Sequence, residues 1–251
     1  MSKLKLITIA VAVFGLLFEG AVTTEAGWSK VRRDAFNSWN SSYWSKSYPW
    51  GNGFSNTPKT YYSPNNVWVS GGSLNLKASG VNWAGKEWTG AACNSFQKIE
   101  RSYDSRWLAR VKVPHRNGVN PAFWLAASDR QWPPEIDIFE SPGGVNSGGK
   151  RAYMTLHFPG GGKSTSTWTA STQLGSKFRI YEVQWRYSSV KWYIDGVQRK
   201  SYTTTSKIPH ETMYALFSME VGEGSGWWGT PQLNNWESVM KVDYFEMYRW
   251  Q

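Results

Sequence analysis

The amino-acid sequence predicts an all-β sandwich, and two observations carry this prediction. Short alternating or apolar runs recur along the chain and are broken by Gly, Asn, Ser and Pro, the pattern of strands joined by turns. Helical periodicity is almost absent. Of the 251 residues, 16% are aromatic and 18% are charged, which is enough apolar material for a large core. Because no linker, repeat or low-complexity tract interrupts the pattern, we expect one domain over residues 27–251.

The predicted strands follow one another at the spacing of a sandwich. Residues 28–66 are predicted to be irregular, and a hairpin is predicted around the turn Ser70-Gly71-Gly72-Ser73. Asp195-Gly196 is a strong signal for a second tight turn. Strands are predicted at residues 67–69, 74–77, 106–113, 121–125, 135–140, 152–158, 178–185, 190–194, 213–220 and 240–249.

Three carboxylates, Glu135, Asp137 and Glu140, lie within six residues of one predicted strand. In a flat strand Glu140 would point into the core with Ile136, which is costly for an unpaired carboxylate. One extra residue near Ile138–Phe139, a β-bulge, returns Glu140 to the face of the other two acids. We therefore predict a bulged strand with all three acids on one surface.

Paired carboxylates on a rigid strand suit the cleavage of glycosidic bonds. One ionised acid attacks or stabilises the anomeric carbon, and one protonated acid serves the leaving oxygen. Crowding three acids together also raises the proton affinity of at least one of them. The alternative interpretation of this strand alone is an acidic edge strand that faces solvent.

The N-terminus, residues 1–26, has the pattern of a secretory signal peptide. Lys3 and Lys5 precede an apolar run from Leu6 to Phe18, and Thr-Glu-Ala precedes Gly27. The run is short for a membrane span, and no later stretch is long enough to be one. We expect a secreted protein, extracellular or periplasmic, with no stable membrane insertion after cleavage. An uncleaved N-terminal anchor is the alternative.

Cysteine content and charge limit the remaining classes. Cys93 is the only cysteine, so no intrachain disulfide can form, and a buried inert thiol is expected. With three His and no Cys pair, a zinc site is not expected. The net charge of +10 suggests an acidic polysaccharide or cell surface as partner, or serves only solubility. Nucleic acid is not an expected partner, because no basic helix or dense basic cluster occurs.

Several ordered motifs together resemble glycoside hydrolase family 16, the laminarinase-like endo-β-glycanases, over about residues 67–248. The acidic strand matches the bulged E-[ILV]-D-x-x-E signature of that family. The other matching segments are Pro121-Ala122-Phe123-Trp124, Met154-Thr155-Leu156-His157, Phe178 to Trp185, Trp192-Tyr193-Ile194-Asp195-Gly196 and Val242-Asp243-Tyr244.

The resemblance implies a concanavalin-like jelly roll of two curved antiparallel sheets, with a substrate cleft along the concave sheet. It also implies retaining hydrolysis. Glu135 would be the nucleophile, Glu140 the acid/base, and Asp137 would tune the protonation of both.

The resemblance and the residue pattern also suggest substrate-binding residues. His157 would hydrogen-bond the acid/base or the sugar, or serve as a structural histidine, and Trp124 would form a wall for the sugar. Aromatic faces with a polar edge suit sugar platforms. The further candidates are Trp132, Trp228 with its neighbour Trp227, Arg116 and Asn117.

The sequence departs from the family pattern at two places, one that concerns a structural calcium and one that concerns the branch of the family. The Asp-Glu-Phe segment that helps bind a structural calcium appears here as Asp34-Ala35-Phe36, although Asp243 of the last strand is present. The missing Glu puts calcium in doubt, and no cofactor is expected. The arginine-flanked strand common in laminarinases has Leu108 in place of its acid, which indicates a divergent branch.

The sequence thus favours an endo-β-glycanase acting as a monomer on a polysaccharide, a β-1,3- or mixed β-1,3/1,4-glucan. Hydrolysis of an anionic chain, a sulfated galactan or an acidic exopolysaccharide, remains the alternative that the charge suggests. A non-catalytic glucan-binding protein is less favoured, because both glutamates are present.

Overall fold

Two antiparallel sheets pack face to face in the computed structural model, which describes residues 27–145, 148–222, 224, 226–232 and 235–251. The expected signal peptide, residues 1–26, lies outside the described residues. The described part of the chain has 17 strands and contains no helix long and apolar enough to cross a membrane. The all-β jelly roll that we expected is confirmed.

One sheet, called here the cleft sheet, carries the acidic strand near its middle. Its order is β12-β11-β10-β9-β16-β6-β2, with β7 also beside β16. Its strands are β2 (Ser45–Lys46), β6 (Trp88–Asn94), β7 (Glu100–Arg101), β9 (Val119–Ala127), β10 (Glu135–Glu140), β11 (Arg151–His157), β12 (Lys163–Thr169) and β16 (Met213–Val221).

The second sheet, called here the outer sheet, has the order β15-β14-β13-β8-β17. The long β17 then pairs with β5 along its first half and with β1 along its second half, and β4 lies beyond β5. The strands are β1 (Trp28–Asp34), β3 (Thr60–Tyr62), β4 (Val67–Ser70), β5 (Ser73–Ser79), β8 (Ser105–Lys112), β13 (Arg179–Arg186), β14 (Ser189–Ile194), β15 (Val197–Tyr202) and β17 (Glu237–Trp250).

Short connections and β6 join the two layers. The first residues of β6 pair with β3 and β5 of the outer sheet, and its last residues pair with β16 of the cleft sheet. Three single turns of 3₁₀ helix complete the described secondary structure, at Pro64–Asn66, Leu174–Ser176 and Thr205–Lys207.

Large aromatic side chains fill the space between the sheets. Phe139 of the cleft sheet contacts Tyr181 of the outer sheet with ring centroids 4.3 Å apart. Phe217 of the cleft sheet and Phe245 of the outer sheet both contact Trp44, and all three are fully buried. Each such ring contributes roughly 1.5–3 kcal/mol of hydrophobic stabilisation. The cleft sheet is therefore held on a rigid, close-packed support.

Most predicted strands are confirmed, but the segment predicted to be irregular contains regular structure. Trp28–Asp34 forms β1, which pairs with the end of β17, and Thr60–Tyr62 forms β3. β1 is rich in Lys and Arg because one of its faces meets solvent, so its apolar alternation is weak in the sequence. The polar edge strand Lys163–Thr169 also had no predicted counterpart.

Cys93 is fully buried in β6, and burial raises the pKa of its thiol above the ordinary range. The position fits the inert thiol that we expected.

Candidate active site

The exposed face of the cleft sheet forms an open cleft with a volume of about 960 Å³. Its floor comes from β9, β10, β11, β12 and β16, and loops supply its walls. The lining includes four carboxylates, Glu135, Asp137, Glu140 and Glu220, and five large aromatic residues, Trp50, Trp124, Trp132, Trp227 and Trp228.

The predicted β-bulge is present and brings the acids together. Asp137 pairs with Thr155 of β11, and the next pair is Glu140 with Tyr153, so β10 has one residue more than its partner over this interval. In the pairing of β10 with its other neighbour, β9, the register shifts between Asp137 and Phe139. Ile136, Ile138 and Phe139 are buried in the core, while the three acids line the cleft.

A contact from the opposite sheet supports the bulge. The indole N–H of Trp192, on β14, donates to the carbonyl oxygen of Asp137 at 2.8 Å. A bulge interrupts the ladder, so its backbone groups need partners elsewhere. Lys200 lies over the Trp192 ring at 4.4 Å, and burial lowers the pKa of this lysine to about 8.

Glu135 lies beside His157 and Asp137. The Nε2 atom of His157 is 3.5 Å from Glu135 Oε1 and 3.4 Å from Asp137 Oδ2. Asp137 is 3% exposed. Burial, and then the neighbouring charges of Asp137, Glu140 and Glu220, raise the pKa of Glu135 well above its ordinary value. The raised pKa favours the protonated form of the Glu135 carboxyl group.

Glu140 occupies a different environment at the other end of the strand. Its Oε1 atom accepts a hydrogen bond from the Asn120 side-chain amide at 3.0 Å. Burial, with the charges of Asp137 and Glu220, raises the pKa of Glu140 well above its ordinary value. A carboxyl group that holds its proton near neutral pH suits a general acid.

Glu220 and Asn120 belong to this site although neither was predicted. Glu220 is 6% exposed, and burial raises its pKa to about 7. The alternation of β16 carries a signal, because Met213, Ala215, Phe217, Met219 and Val221 point into the core. The intervening residues Tyr214 and Glu220 therefore face the cleft, which a count of the two faces from the sequence would have shown.

The structure brings four of the predicted substrate-binding residues to the cleft. Trp124 is 5% exposed, and its indole N–H donates to Ser218 Oγ at 3.1 Å. Trp132 is 67% exposed, and its ring centroid is 5.5 Å from that of His157. Trp228 lines the cleft beside Trp227. His157 contacts Glu135 and Asp137. The residue of β11 that is paired with Glu140 is Tyr153. The contact of His157 is therefore with Glu135, and not with the expected acid/base Glu140.

Arg116 and Asn117 are not among the residues that line the cleft. The Arg116 guanidinium donates to Gln232 Oε1 at 2.8 Å and lies over the Trp236 ring at 4.5 Å. The Asn117 amide donates to the carbonyl oxygen of Thr230 at 3.0 Å. Both side chains thus donate hydrogen bonds to residues of the loop that carries Trp228. Their contribution to the cleft is indirect.

Asp34 and Asp243, which match the calcium-binding positions of the family, already have protein partners. The Asp34 carboxylate accepts the backbone N–H of Phe36 at 2.8 Å and the indole N–H of Trp44 at 3.0 Å. Asp243 forms an ion pair with Arg110 at 2.5 Å. Calcium prefers six to eight oxygen ligands, so donors and a cation at these positions do not fit it.

In the described part of the chain, one cluster has the composition of a metal site. Glu135, Asp137 and His157 each offer one ligand atom, and these atoms lie within 4.8 Å of one another. The same carboxylates face the substrate space together with Glu140. We therefore interpret the cluster as part of the active site and not as a metal site.

An open cleft across one sheet of a jelly roll, with paired half-buried carboxylates on its floor and indole rings around it, is the arrangement of a glycoside hydrolase. The model of glycosyl hydrolases family 16 matches residues 54–246. The chain belongs to this family.

Individual relatives agree with the family match. The endo-1,3-1,4-beta-glycanase ExsH of Rhizobium meliloti (strain 1021) is 30% identical over 188 residues, which cover 72% of this chain and 39% of that protein. The glucan endo-1,3-beta-glucosidase A1 of Niallia circulans is 26% identical, over 90% of this chain and 38% of that protein. The chain thus spans about two fifths of the length of these curated relatives.

A solved structure shows a similar fold over nearly the whole of both chains. The endo-beta-1,3-glucanase from Pyrococcus furiosus superposes with a TM-score of 0.77 at 25% identity. The superposition covers 89% of this chain and 95% of that chain.

Proposed function

We propose that this chain is a secreted, retaining endo-β-glycanase that hydrolyses internal bonds of a β-1,3- or mixed β-1,3/1,4-glucan. The observation that carries the proposal is the bulged β10, which presents Glu135 and Glu140 from one rigid strand to the floor of an open cleft. An open cleft accepts the middle of a long chain, which suits endo cleavage. The activities of ExsH, A1 and the Pyrococcus furiosus enzyme support β-1,3 and β-1,3-1,4 linkages.

The proposed reaction has two steps. The Glu135 carboxylate attacks the anomeric carbon while the bond to the leaving oxygen breaks, and Glu140 gives its proton to that oxygen. A water molecule then attacks the same carbon, Glu140 takes the proton of this water, and the bond to Glu135 breaks. His157, 3.5 Å from Glu135 Oε1, stabilises the ionised nucleophile when the imidazole carries a proton.

The composition of the cleft favours a neutral glucan over an anionic chain. Four carboxylates line the cleft, against two basic side chains, Arg130 and Lys163. A polysaccharide that carries sulfate or carboxylate groups would meet like charges there. The non-catalytic alternative is less favoured, because both glutamates are present and line the cleft.

The test is the release of reducing ends from laminarin, barley mixed-linkage glucan, κ-carrageenan and an acidic exopolysaccharide. We expect cleavage of the two neutral glucans, with the β-anomer formed first when the product is followed by NMR. Glu135→Gln should lower turnover by at least about a thousandfold and still bind glucan. The exposed Glu237→Gln is the matched control and should keep full activity. Turnover of Glu135→Gln at the wild-type rate would refute the nucleophile.

We also propose that the protein is exported and acts as a monomer. The lysine-flanked apolar segment at residues 6–18 supports export. N-terminal sequencing of protein from the culture medium should give a chain beginning near Gly27. Size-exclusion chromatography with light scattering should give the mass of one chain. An anchored protein that sediments with membranes, or a dimer mass, would contradict these proposals.

A further inference from the structure

Glu220 is the fourth carboxylate that lines the cleft; it is buried, and the two-step reaction does not use it. It lies near the end of β16, directly opposite Asn120 of β9. It lines the cleft, and it takes part in none of the ion pairs found among the described residues. A buried carboxylate without a cation is costly, so its contacts call for a functional explanation.

Asn120 connects Glu220 to Glu140. The side-chain amide of Asn120 donates to Glu140 Oε1 at 3.0 Å and to Glu220 Oε2 at 3.3 Å. The backbone N–H of Ser141 donates to Asn120 Oδ1 at 3.2 Å, which fixes the orientation of the amide group. The two hydrogens of the amide nitrogen are therefore shared between the two carboxylates.

The other oxygen of Glu220 is held by neutral donors. Glu220 Oε1 accepts the Tyr48 hydroxyl at 3.1 Å and the Ser218 hydroxyl at 3.3 Å. The Tyr48 ring stacks on Trp50, with centroids 4.7 Å apart and an angle of 9° between the planes. Trp50 is 41% exposed and lines the cleft. Glu220 thus stands between the aromatic wall and the proposed acid/base.

We propose that Glu220 is a positioning residue for the general acid: by anchoring Asn120, it holds the Glu140 carboxyl group where it can protonate the leaving oxygen. The inference rests on the proposed function, in which Glu140 is the acid/base. A carboxamide in place of the carboxylate at position 220 replaces the charge-assisted hydrogen bond to the Asn120 amide by a weaker neutral one, so Glu140 is held less firmly. The loss should concern proton donation and not the binding of glucan.

The test compares two substrates that differ in their need for a general acid. A glucan needs a proton on its leaving oxygen, whereas a 2,4-dinitrophenyl β-laminaribioside releases a stable phenolate without one. For Glu220→Gln we expect kcat on laminarin to fall about 10- to 100-fold with KM nearly unchanged. The pre-steady-state rate of dinitrophenolate release, which reports the first step alone, should remain near that of the wild type. Equal losses on both substrates would overturn the proposal.

A double-mutant cycle tests the route through Asn120. Asn120→Ala should show the same selective loss, and the double variant should lose no more than the single variants, because both act on one contact chain. Additive losses would mean that Glu220 does not act through Asn120. If Glu220→Gln does not fold, Asn120→Ala alone carries the two-substrate test. Glu182→Gln, a buried glutamate of the outer sheet, is the matched control and should change neither rate.

A further variant separates this inference from the proposed function. Glu140→Ala should lose activity on laminarin and regain it on the dinitrophenyl substrate when azide is added, because azide replaces the water of the second step. Full activity of Glu140→Ala on laminarin would refute the acid/base assignment itself. If Glu140→Ala behaves as expected and Glu220→Gln keeps full activity on laminarin, only the positioning role fails.

Discussion

Buried carboxylates make this protein sensitive to pH at the level of single residues. Glu220 shows the effect most simply, because burial raises its pKa from 4.5 to about 7 while its hydrogen bonds oppose the rise. The folded state therefore binds more protons than the unfolded state between these values. The contribution of Glu220 to stability is present below about pH 4.5 and is lost as the pH rises through about 7.

We therefore expect Glu220→Gln to gain stability relative to the wild type as the pH increases. Glutamine does not ionise, so the variant avoids a penalty of up to about 3 kcal/mol above pH 7. Urea unfolding at about pH 4.5, 6 and 8 measures the difference in free energy of unfolding. Parallel pH curves for the two proteins would show that the carboxylate at 220 is not buried in its charged form.

At this scale, the sequence predicted the acids of β10 but not their partners. One strand of six residues carries Glu135, Asp137 and Glu140, so the geometry of that strand was enough to bring them together. The alternation of β16 indicates which face Glu220 takes, but the pairing of β16 with β9 and of β9 with β10, which brings Glu220 and Asn120 to Glu140, is not contained in any local pattern. Arg116 was expected at the substrate because of its place in the chain, but its stacking on Trp236 depends on a distant loop.

The bulged strand and its support are the features that matter at the level of elements. The conflict between Glu140 and the buried isoleucines predicted the bulge, since only an extra residue keeps the carboxylate out of the core. The contact that supports the bulge, from Trp192 to the carbonyl oxygen of Asp137, crosses the sandwich. Such a contact depends on how the two sheets pack, which the pattern of one strand does not contain.

We expect Trp192→Phe to weaken both the fold and the reaction. The variant leaves the buried carbonyl oxygen of Asp137 without its donor, which costs about 1–3 kcal/mol. The bulge then holds Asp137 and Glu140 less firmly, so kcat should fall about tenfold or more. Urea unfolding and laminarin kinetics measure the two effects.

Trp185→Phe is the matched control for this prediction. Trp185 is also fully buried, and its indole N–H also donates to a backbone carbonyl oxygen, that of Pro209, at 2.9 Å. Its variant should lose a similar amount of stability and keep the kcat of the wild type. An equal fall in kcat for both variants would show that the loss follows general destabilisation and not the bulge.

Across the whole molecule, the architecture followed from the sequence because strands, turns and family motifs agreed. Several strands escaped prediction, among them the buried β6; two of them, β1 and β12, are polar or basic and carry little apolar alternation. Their place in the fold comes from pairing with β17 and β11. The pairing with neighbouring strands therefore determines the structure of segments whose local sequence pattern does not predict a strand.

The net charge of +10 is also a property of the whole molecule, and its placement matters more than its size. The cleft is lined by four carboxylates and two basic side chains, whereas the outer sheet exposes Arg32, Arg33 and Lys241. Positive charge on the outer sheet suits loose contact with an anionic surface and leaves the cleft to a neutral chain.

We expect salt to affect adsorption and catalysis differently. Between about 0.05 M and 0.5 M salt, kcat/KM on laminarin should change less than about twofold, because the substrate is neutral. Adsorption to an anionic cell-wall preparation should weaken strongly over the same range. Replacing Arg32 and Arg33 by Gln should weaken adsorption and leave laminarin kinetics unchanged. A steep salt dependence of kcat/KM would favour the alternative hypothesis, in which the substrate is an anionic polysaccharide.

The pairing of β1 with β17 has a consequence for how this domain can be joined to others. Trp28 lies opposite Trp250, and the backbone N–H of Gln251 donates to the carbonyl oxygen of Gly27 at 2.8 Å. Residues 27 and 251 therefore lie at neighbouring positions of the outer sheet. A tether attached at residue 27 or at residue 251 would therefore join the domain through its outer sheet. A short linker between residues 251 and 27, with new ends at the exposed turn Gly71-Gly72, should give a circular permutant that folds with its cleft intact.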